Sequence, residues 1–472
     1  MQAANSAMES RMRDKSPEKR LNAEKQRPEG VEAEKASVWR ETEIGLLPAD
    51  WDVMPLGGVA TFTRKPRSLD LSQFDEVPFV PMAQIPENGS SIEGYELRAG
   101  EDITSGTYCE KGNILLAKIT PSFENGKQVV LNDIPLDFSY ATTEVYAFDA
   151  KPNFADQMFL FYYFRLPSVR ADLAGRMEGS TGRQRIRKNT IAGYPIIIPP
   201  LPEQRRIASA LSTIQEAIAA QEGVIAAARE LKHSLMERLF TYGPGPDLPM
   251  TKETEAGEIP EHWNVLPLKQ IATFTRKPRS VDLSRFDQIP FVPMAMIPDD
   301  GSKIEGYELR ASDELSSGTY CEKGDILLAK ITPSFENGKQ AILNDIPLEF
   351  SYATTEVYAL DARPELIDSW FLFYYFRLPK VRSELASRME GSTGRQRIRH
   401  STLSEYPVVV PPLSEQRDIA HALRAVQEVI SAAEQRNVAL GELFGSALEQ
   451  LMTGQIRLGS RQSRFLGKVT DV

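Results

Sequence analysis

Cysteine and histidine are scarce in this chain, which has two cysteines and four histidines among 472 residues. Cys109 and Cys321 occupy equivalent places in two copies of the segment TYCEKG, so packing is the simplest role for both thiols. The histidines are scattered and share no metal-ligand spacing. The sequence therefore predicts neither a disulfide framework nor a metal site.

Long apolar runs are also missing. No segment approaches the roughly 20 apolar residues that a membrane-spanning helix requires, and the N-terminus has no apolar core of the secretory type. With 41% hydrophobic and 25% charged residues, the composition is that of an ordinary globular protein. We therefore expect a cytoplasmic protein with no membrane partner.

Motifs for common enzyme chemistries do not occur. In ENGKQ, Pro121 stands where a P-loop needs its first glycine, and Gln128 stands where it needs Ser or Thr. No GxGxxG opens a helix after a strand, and HExxH, GxSxG and CxxC are absent. Glu144 and Glu356 are single carboxylates without a neighbouring acid or base, which favours a structural role. The sequence predicts no catalytic residue and no bound cofactor.

Positive charge is concentrated in two places. The formal net charge is −10, yet residues 165–188 contain seven basic residues against two acidic ones, and residues 377–399 have the same counts. The distribution of charge matters more than its sum for binding nucleic acid. Two equal basic segments in an acidic chain are therefore candidates for such a surface.

The chain is two copies of one unit. An offset of 212 aligns Trp51 with Trp263 and holds without a gap to Thr241 and Thr453. Residues 107–128 and 319–340 differ only at Asn113 and Asp325, and RMEGSTGRQRIR occurs intact in both copies. Such a duplication dominates any interpretation of the fold.

Each copy is predicted to be a mixed α/β (α+β) domain followed by a long helix. Short β-rich runs such as VPFVPM, NILLAKI and TTEVYAF are separated by turn residues, FLFYYFRL is predicted to be a buried helix, and PIIIPP to be a strand closed by two prolines. The predicted segments are a disordered charged extension at 1–42, domains at 43–200 and 243–412, spacer helices at 201–242 and 413–455, and a basic tail at 456–472.

A heptad pattern runs through both long helices. Heptad positions alternate spacings of three and four from Ile207 to Leu239 and again from Ile419 to Leu451. Most of them are apolar, with Gln221 and Lys232 in the first helix and Asn437 in the second as polar interruptions. A long amphipathic helix needs a partner, and the other copy supplies one. The short linker GPGPDLP and one compact domain join the end of the first helix to the start of the second, so these two points should lie close together. The helices are therefore predicted to form an antiparallel coiled coil.

Three segments of each copy combine glycine, hydroxyl, Arg, Lys and Gln, groups that contact phosphates and base edges. Singly, each favours a solvated loop, but their repetition in two domains favours duplex DNA, whose half-sites recur at helical spacing. The candidate DNA-binding residues are Arg64, Lys65, Arg67, Lys118, Thr120, Ser122, Asn125, Lys127, Ser180, Thr181, Arg183, Gln184, Arg185 and Arg187, and their counterparts Arg276, Lys277, Arg279, Lys330, Thr332, Ser334, Asn337, Lys339, Ser392, Thr393, Arg395, Gln396, Arg397 and Arg399.

The order of motifs resembles the DNA specificity subunits of type I restriction-modification enzymes. The resemblance rests on GLLPADW and GEIPEHW, GDILLAKI, TGRQRIR, and IPPLPEQRRIA or VPPLSEQRDIA at the helix starts, and covers about residues 43–456. It implies two target-recognition domains on an antiparallel helical spacer that also docks two methyltransferase subunits, with a restriction translocase as a further partner. The spacer residues expected to bind partners are Glu203, Gln204, Ile207, Leu211, Ile214, Ile218, Glu415, Gln416, Ile419, Leu423, Val426 and Ile430.

The resemblance also implies that chemistry resides elsewhere. The methyl-transfer motif, Asn or Asp followed by two prolines and an aromatic, is absent because the proline pairs follow Ile198 and Val410. Methyl donor and ATP are therefore expected on partner subunits. The family generally carries two dissimilar recognition domains, whereas these two are nearly identical, which predicts a bipartite, near-palindromic site. The alternative is a free-standing DNA-binding regulator or scaffold without enzyme partners.

Overall fold

The computed structural model describes residues 39–87, 89–180, 182–315, 317–392 and 394–458. These residues divide into two compact units, one containing 39–212 with 446–458 and the other containing 213–445. Residues 1–38 of the predicted extension and 459–472 of the predicted tail lie outside the described residues.

The domain of the first unit has two four-stranded sheets. One has the strand order Glu96–Arg98, Val77–Val80, Phe138–Ala141 and Thr107–Glu110, and the other Ala60–Phe62, Val145–Ala150, Ile114–Ala117 and Gln128–Val130. All their pairings are antiparallel except that of Phe138–Ala141 with Val77–Val80. Two-stranded pairs are Trp39–Thr42 with Gly45–Pro48, Asp52–Pro55 with Pro195–Ile198, and Glu178–Ser180 with Arg183–Arg185. The short helices are Leu56–Val59, Gln157–Tyr163, Pro167–Gly175 and Lys188–Ala192.

The domain of the second unit repeats this plan. One of its sheets has the strand order Glu308–Ala311, Gln288–Val292, Phe350–Ala353 and Thr319–Glu322. The other has the strand order Ala272–Phe274, Val357–Ala362, Ile326–Ala329 and Gln340–Ile342. Its two-stranded pairs are Thr251–Thr254 with Gly257–Pro260, Asn264–Pro267 with Pro407–Val410, and Glu390–Ser392 with Arg395–Arg397. Its short helices are Leu268–Ile271, Ser369–Tyr375, Pro379–Ser387 and His400–Ser404. The predicted mixed α/β class with two equivalent copies is confirmed.

Two long helices complete the chain, a first spacer helix Leu201–Tyr242 and a second spacer helix Leu413–Met452. Within the second unit, Lys232 bonds Gln427 and Arg229 bonds Glu434. The residue numbers of the bonded partners increase along the second helix as they decrease along the first, which confirms the antiparallel pairing. Ile207, Leu211, Ile419, Leu423 and Ile430 are buried at their heptad positions.

Each spacer helix begins on its own domain through a Glu-Gln pair. The amide of Gln204 accepts from Asp156 N at 2.9 Å and donates to the carbonyls of Phe154 and Pro199 at 3.0 and 2.7 Å. The amide of Gln416 makes the same three bonds to Asp368 N, Leu366 O and Pro411 O, at 2.7, 3.0 and 2.7 Å. Buried backbone groups need such partners. Gln204 and Gln416 therefore attach the start of each spacer helix to its domain, which accounts for the glutamine in the motif after the proline pair.

The glutamate of each Glu-Gln pair accepts a hydrogen bond from a core tryptophan. Trp51 Nε1 donates to Glu203 Oε2 at 3.1 Å, and Trp263 Nε1 donates to Glu415 Oε2 at 2.9 Å. Both indoles are completely buried. In the first unit Arg457 adds two bonds of 2.6 Å to the Glu203 carboxylate.

Two predicted boundaries are wrong. The extension was expected to be disordered through residue 42, but Trp39–Thr42 is a strand because Gly45–Pro48 satisfies its backbone groups. The second spacer helix was expected to reach residue 455, but it ends at Met452, and Gly454 adopts a positive φ of 73°.

Candidate nucleic-acid interface

The glycine-rich basic segment of each domain is an exposed hairpin. In the first domain this recognition hairpin pairs Glu178–Ser180 with Arg183–Arg185, and Gly182, just before the second strand, has a positive φ of 79°. A Cβ on Gly179 would lie 2.5 Å from Arg183 O, so only glycine allows the strands to approach this closely. Glu390–Ser392 and Arg395–Arg397 form the second recognition hairpin, with the same 2.5 Å approach at Gly391.

The hairpin is bonded to a second candidate segment that is distant in sequence. Thr120 N donates to Gln184 O at 3.0 Å, and Ile186 N donates to Lys118 O at 2.9 Å. The equivalent bonds of the second domain, from Thr332 to Gln396 and from Ile398 to Lys330, are both 2.9 Å. Two segments that were predicted separately therefore form one continuous surface in each domain.

The third candidate segment reaches the same place because of sheet geometry. Strands Ala60–Phe62 and Ile114–Ala117 are both antiparallel to Val145–Ala150, their common neighbour. Their C-terminal ends therefore lie at one edge of the sheet, where Thr63 N bonds Ala147 O at 2.9 Å and Lys118 N bonds Glu144 O at 3.0 Å. Arg64, Lys65 and Arg67 follow and are exposed.

Two aromatic rings support the basic groups at this edge. The rings of Phe62 and Tyr146 meet edge to face with centroids 5.6 Å apart. Lys118 Nζ lies 4.7 Å above the Tyr146 ring and Lys188 Nζ lies 4.9 Å above the Phe62 ring. Tyr146 also donates its hydroxyl to Ile186 O at 2.8 Å. Cation–π contacts of this kind hold a cation in place while leaving it able to meet an anion.

We call Arg64, Lys118, Arg185 and Lys188 the first basic edge. Burial lowers the pKa of Lys118, and the nearby positive charges of Arg185 and Lys188 lower it further. Such crowding of like charge costs energy in the free protein, and a phosphate would relieve it. Arg64 and Lys188 also line an open cavity of 640 Å³ with Thr61, Thr63 and Phe62.

The second basic edge consists of Arg276, Lys330, Arg397 and His400. Lys330 Nζ lies 4.6 Å above Tyr358, and burial followed by the charge of Arg397 lowers the pKa of Lys330. His400 occupies the place of Lys188 and packs on Phe274 with centroids 4.0 Å apart. The two edges differ in this one basic group.

The other predicted DNA-binding residues differ in exposure and in their partners. Arg183, Arg395, Ser180, Ser392, Asn125 and Asn337 are exposed, as are Lys277 and Arg279, whereas Gln184, Gln396, Ser122 and Ser334 are half-buried. Arg187 pairs with Glu178 at 2.6 Å and Arg399 with Glu390 at 2.5 Å, within the hairpins. The hydroxyls of Thr120 and Thr332 each donate to a neighbouring glutamate at 2.8 Å. Thr181 and Thr393 lie outside the described residues.

Lys127 and Lys339 do not fit the predicted DNA-binding role. Lys127 Nζ donates to the carbonyls of Met82 and Ile85 at 3.2 and 2.7 Å, and Lys339 Nζ donates to Ile297 O at 2.6 Å. Each ammonium satisfies backbone groups of its own domain, so both lysines have structural roles. Lys188 was missed as a site residue, although it belongs to the basic segment, because the aromatic ring beneath it is distant in sequence.

The predicted partner-binding residues of the spacer helices lie mostly inside the chain, and their contact with partner subunits stays a prediction. Glu203, Gln204, Ile207, Leu211, Ile214, Gln416, Ile419, Leu423 and Ile430 are buried, while Ile218, Glu415 and Val426 are half-buried. These side chains form the attachment to the domains and the contact between helices, so the apolar heptad face is used inside the chain. Solvent-facing positions of the helices are left for any partner.

Among the described residues, no three His, Cys, Asp or Glu side chains are grouped so as to hold a metal ion. None of the helices in the same part of the chain is long and apolar enough to cross a membrane.

Two equivalent domains, each with a basic edge over an aromatic pair, together with a paired helical spacer define a DNA-binding protein with two recognition domains. The family model described as the type I restriction modification DNA specificity domain matches residues 48–228 and 260–441. The chain therefore belongs to this family, as its motifs indicated.

Curated relatives agree with this membership. The chain is 28% identical over 214 residues to the type I restriction enzyme EcoAI specificity subunit of Escherichia coli, covering 44% of this chain and 35% of the relative. It is 24% identical over 436 residues to the putative MjaX specificity subunit of Methanocaldococcus jannaschii, covering 89% of this chain and 97% of the relative. It thus spans about a third of the first relative and nearly all of the second.

The fold is similar to that of the type I restriction-modification S subunit from M. genitalium. The TM-score is 0.52 at 15% identity, over 85% of this chain and 96% of that one. A chain from a structural study of assembly and conformational transition of the type I R-M system gives a TM-score of 0.50 at 19% identity, over 87% of this chain and 99% of that one.

Proposed function

We propose that this chain is the sequence-specific DNA-binding subunit of a type I restriction-modification complex and reads a bipartite, near-palindromic site. The observation that carries the proposal is the repetition of one basic edge, on one aromatic pair, in two domains joined by paired helices. Equal surfaces recognise equal sequences, so the two half-sites should be alike. Palindromic sites of this kind are read by paired equivalent domains.

Each edge has groups for both kinds of DNA contact. Lys118 and Lys188 are held over aromatic rings and suit phosphate oxygens, which position the protein without reading sequence. Exposed Arg183 and Arg185 on the recognition hairpin suit bidentate contact with guanine, and Gln184 suits adenine. A two-stranded hairpin fits the major groove of duplex DNA.

Methylation and cleavage are assigned to partner subunits. The expected partners are two methyltransferase subunits, with a restriction translocase as a further one, and these would bind the methyl donor and ATP. Support comes from the family, from a relative structure reported for assembly of the type I R-M system, and from the lack of a methyl-transfer motif in this sequence. The exposed faces of the spacer helices are the proposed docking surface.

Reconstitution tests this assignment. The purified chain with a methyl donor should not methylate DNA, whereas the chain co-expressed with the host's methyltransferase subunit should co-purify with it and methylate one defined site. Methylation by the chain alone would contradict the assignment of chemistry to partners. Tight binding of one operator by the chain alone, without co-purification, would favour a free-standing regulator.

A further inference from the structure

Four polar side chains of the second unit meet beside the spacer helices. Lys232 of the first spacer helix has only 10% of its side chain exposed, and its Nζ lies 3.0 Å from Asp300 Oδ1. The same ammonium donates to Oε1 of Gln427 on the second spacer helix at 2.5 Å. Arg377, 9% exposed, lies 3.2 Å from the same Asp300 oxygen. One carboxylate therefore joins a buried ammonium and a buried guanidinium.

The carboxylate remains charged in this setting. Burial alone would raise the pKa of Asp300, but the charge and hydrogen bond of Lys232, followed by the charges of Arg377 and Arg229, hold that pKa below its ordinary value. Removing one member of such a buried group leaves the others uncompensated. The contact therefore fixes the domain loop against the helices.

The same loop is bonded to the DNA-facing part of the domain. Arg377 donates to the carbonyls of Asp299 and Gly301 at 3.2 and 2.6 Å. Lys339 lies 3.4 Å from Asp299 Oδ1 and donates to Ile297 O at 2.6 Å. Lys339 follows the segment that begins at Thr332, whose N–H bonds the second recognition hairpin. A continuous set of contacts thus leads from the spacer helix to the second basic edge.

The repeat shows that this junction belongs to one copy. At the offset of 212, Lys232 corresponds to Phe444 and Asp300 corresponds to Asn88. Both charged partners are thus replaced by uncharged residues, although the nearby segments 107–128 and 319–340 differ at one position only. A paired difference in a nearly identical repeat indicates a role that the first copy does not share.

We propose that Lys232, Asp300 and Arg377 are positioning residues that fix the second recognition domain on the spacer helices and so set the distance at which the second half-site is read. The inference rests on the proposed function, because it presumes a site with two halves. On this inference, the fixed position of the second domain on the spacer helices determines the half-site spacing.

The test uses the full chain and synthetic duplexes. Each duplex contains two inverted copies of the half-site obtained from a methylation map, with spacers that differ by one base pair. Wild-type protein should lose about tenfold in affinity for each base pair away from the preferred spacer. The double variant Lys232→Phe, Asp300→Asn, built from the residues of the other repeat, should lose less than about threefold. Its affinity for a duplex with a single half-site should match the wild type.

Controls separate spacing from folding. Asp300→Asn alone should give an intermediate loss of spacer discrimination, and Lys269→Ala, which removes an exposed pair with Glu405 in the same domain, should change nothing. A double variant that keeps wild-type spacer discrimination would overturn the inference. Wild-type protein that binds all spacers equally would instead contradict the bipartite function itself and, with it, the inference.

Discussion

At the residue scale, Asn113 and Asp325 differ in one atom and fill the same buried place. Asn113 accepts from Glu110 N at 2.9 Å, and Asp325 accepts from Glu322 N at 2.8 Å. Burial is the main cause that raises the pKa of Asp325 from 3.8 to about 6. The second domain therefore contains a titrating carboxyl where the first has a neutral amide.

Asp325→Asn should stabilise the second domain at neutral pH. The pKa of Asp325 is raised in the folded state, so its stabilising contribution is complete below pH 3.8 and is lost as pH rises through about 6. At about 1.4 kcal/mol for each pKa unit, the gain in free energy of unfolding is up to about 3 kcal/mol above pH 6. Hydrogen exchange of the Thr319–Glu322 strand at pH 7.5 and pH 4 measures it.

The first copy supplies the matched control. Asn113→Asp should destabilise the Thr107–Glu110 strand at pH 7.5 and leave it unchanged near pH 4. Equal effects of either substitution at both pH values would show that charge burial is not the cause.

Lys188 and His400 give a second residue-scale prediction, this time for binding. Lys188→Ala should weaken duplex binding at low salt and reduce the slope of log K against log salt by about 0.9, as expected for one lost phosphate contact. His400→Lys should increase affinity and slope, because it gives the second basic edge the charge of the first. Fluorescence anisotropy across a salt series measures both. Unchanged slopes in both variants would remove this position from the interface.

Single residues also show what the sequence could and could not predict. The Glu-Gln pair after the prolines was identified from its motif, but its attachment of the helix to the domain was not predicted, because the backbone groups that Gln204 satisfies lie up to 50 residues away. Lys127 was placed on DNA because a basic loop residue is usually solvated, whereas its ammonium satisfies carbonyls near residue 85. Hydrogen bonds between distant segments carry no local signal.

At the element scale, the recognition hairpin depends on one glycine. Gly179→Ala would place a Cβ 2.5 Å from Arg183 O at a φ of 138°, so the strands should separate at a cost of about 1–3 kcal/mol. We expect at least tenfold weaker binding to the half-site duplex. Gly175→Ala, with nothing within 4 Å of the new Cβ and an ordinary φ, is the control. Wild-type affinity of the Gly179 variant would contradict a role for the hairpin.

The start of the C-terminal tail is a second element with a defined contact. Arg457 donates to both oxygens of Asp50 at 2.9 and 2.8 Å and to both oxygens of Glu203 at 2.6 Å, and it lies 5.4 Å above the Trp51 ring. Its hydrogen bond is the main cause that lowers the pKa of Asp50. Within residues 456–458 of the predicted tail, Arg457 therefore joins the tail to Asp50 and to the first spacer helix at Glu203.

Arg457→Ala should destabilise the first unit by about 2–4 kcal/mol, since it leaves the buried Glu203 carboxylate with the Trp51 indole alone. Arg457→Lys keeps the charge without the fork of donors and should lose about half as much. The effect should shrink as pH falls from 3.8 through the lowered pKa of Asp50, because the stability from that carboxylate is complete above 3.8 and is lost over that interval. Chemical denaturation along a series from pH 7 downward measures this, and a loss of stability that stays the same at every pH would contradict the ionic cause.

Secondary-structure elements were more predictable than the tertiary contacts between them. The heptad and the proline pair were enough to predict the first spacer helix, because the periodicity and the start signal are local. The strands within VPFVPM, NILLAKI and TTEVYAF were likewise predictable from composition. The joining of the recognition hairpin to Lys118, and the aromatic support beneath both, depend on strand order in the sheet, which no local pattern specifies.

At the scale of the whole molecule, duplication is the feature that carries function. Both domains keep the hairpin, the aromatic pair and the lysine above Tyr146 or Tyr358, while differing at Lys188 and His400 and at the junction formed by Lys232 and Asp300. Under the proposed function, the shared parts would give equal half-sites, and the differences would give unequal strength and spacing. The chain contains one basic surface twice, and only the second copy has the ion pair between Lys232 and Asp300.

The central claim is that these two surfaces read the same sequence. An adenine-methylation map of the host genome, with and without this chain, tests it most directly. We expect one methylated motif to disappear with the chain, and its two specified halves to be inverted copies, or nearly so, across an unspecified spacer. A lost motif with two unrelated halves would contradict the account.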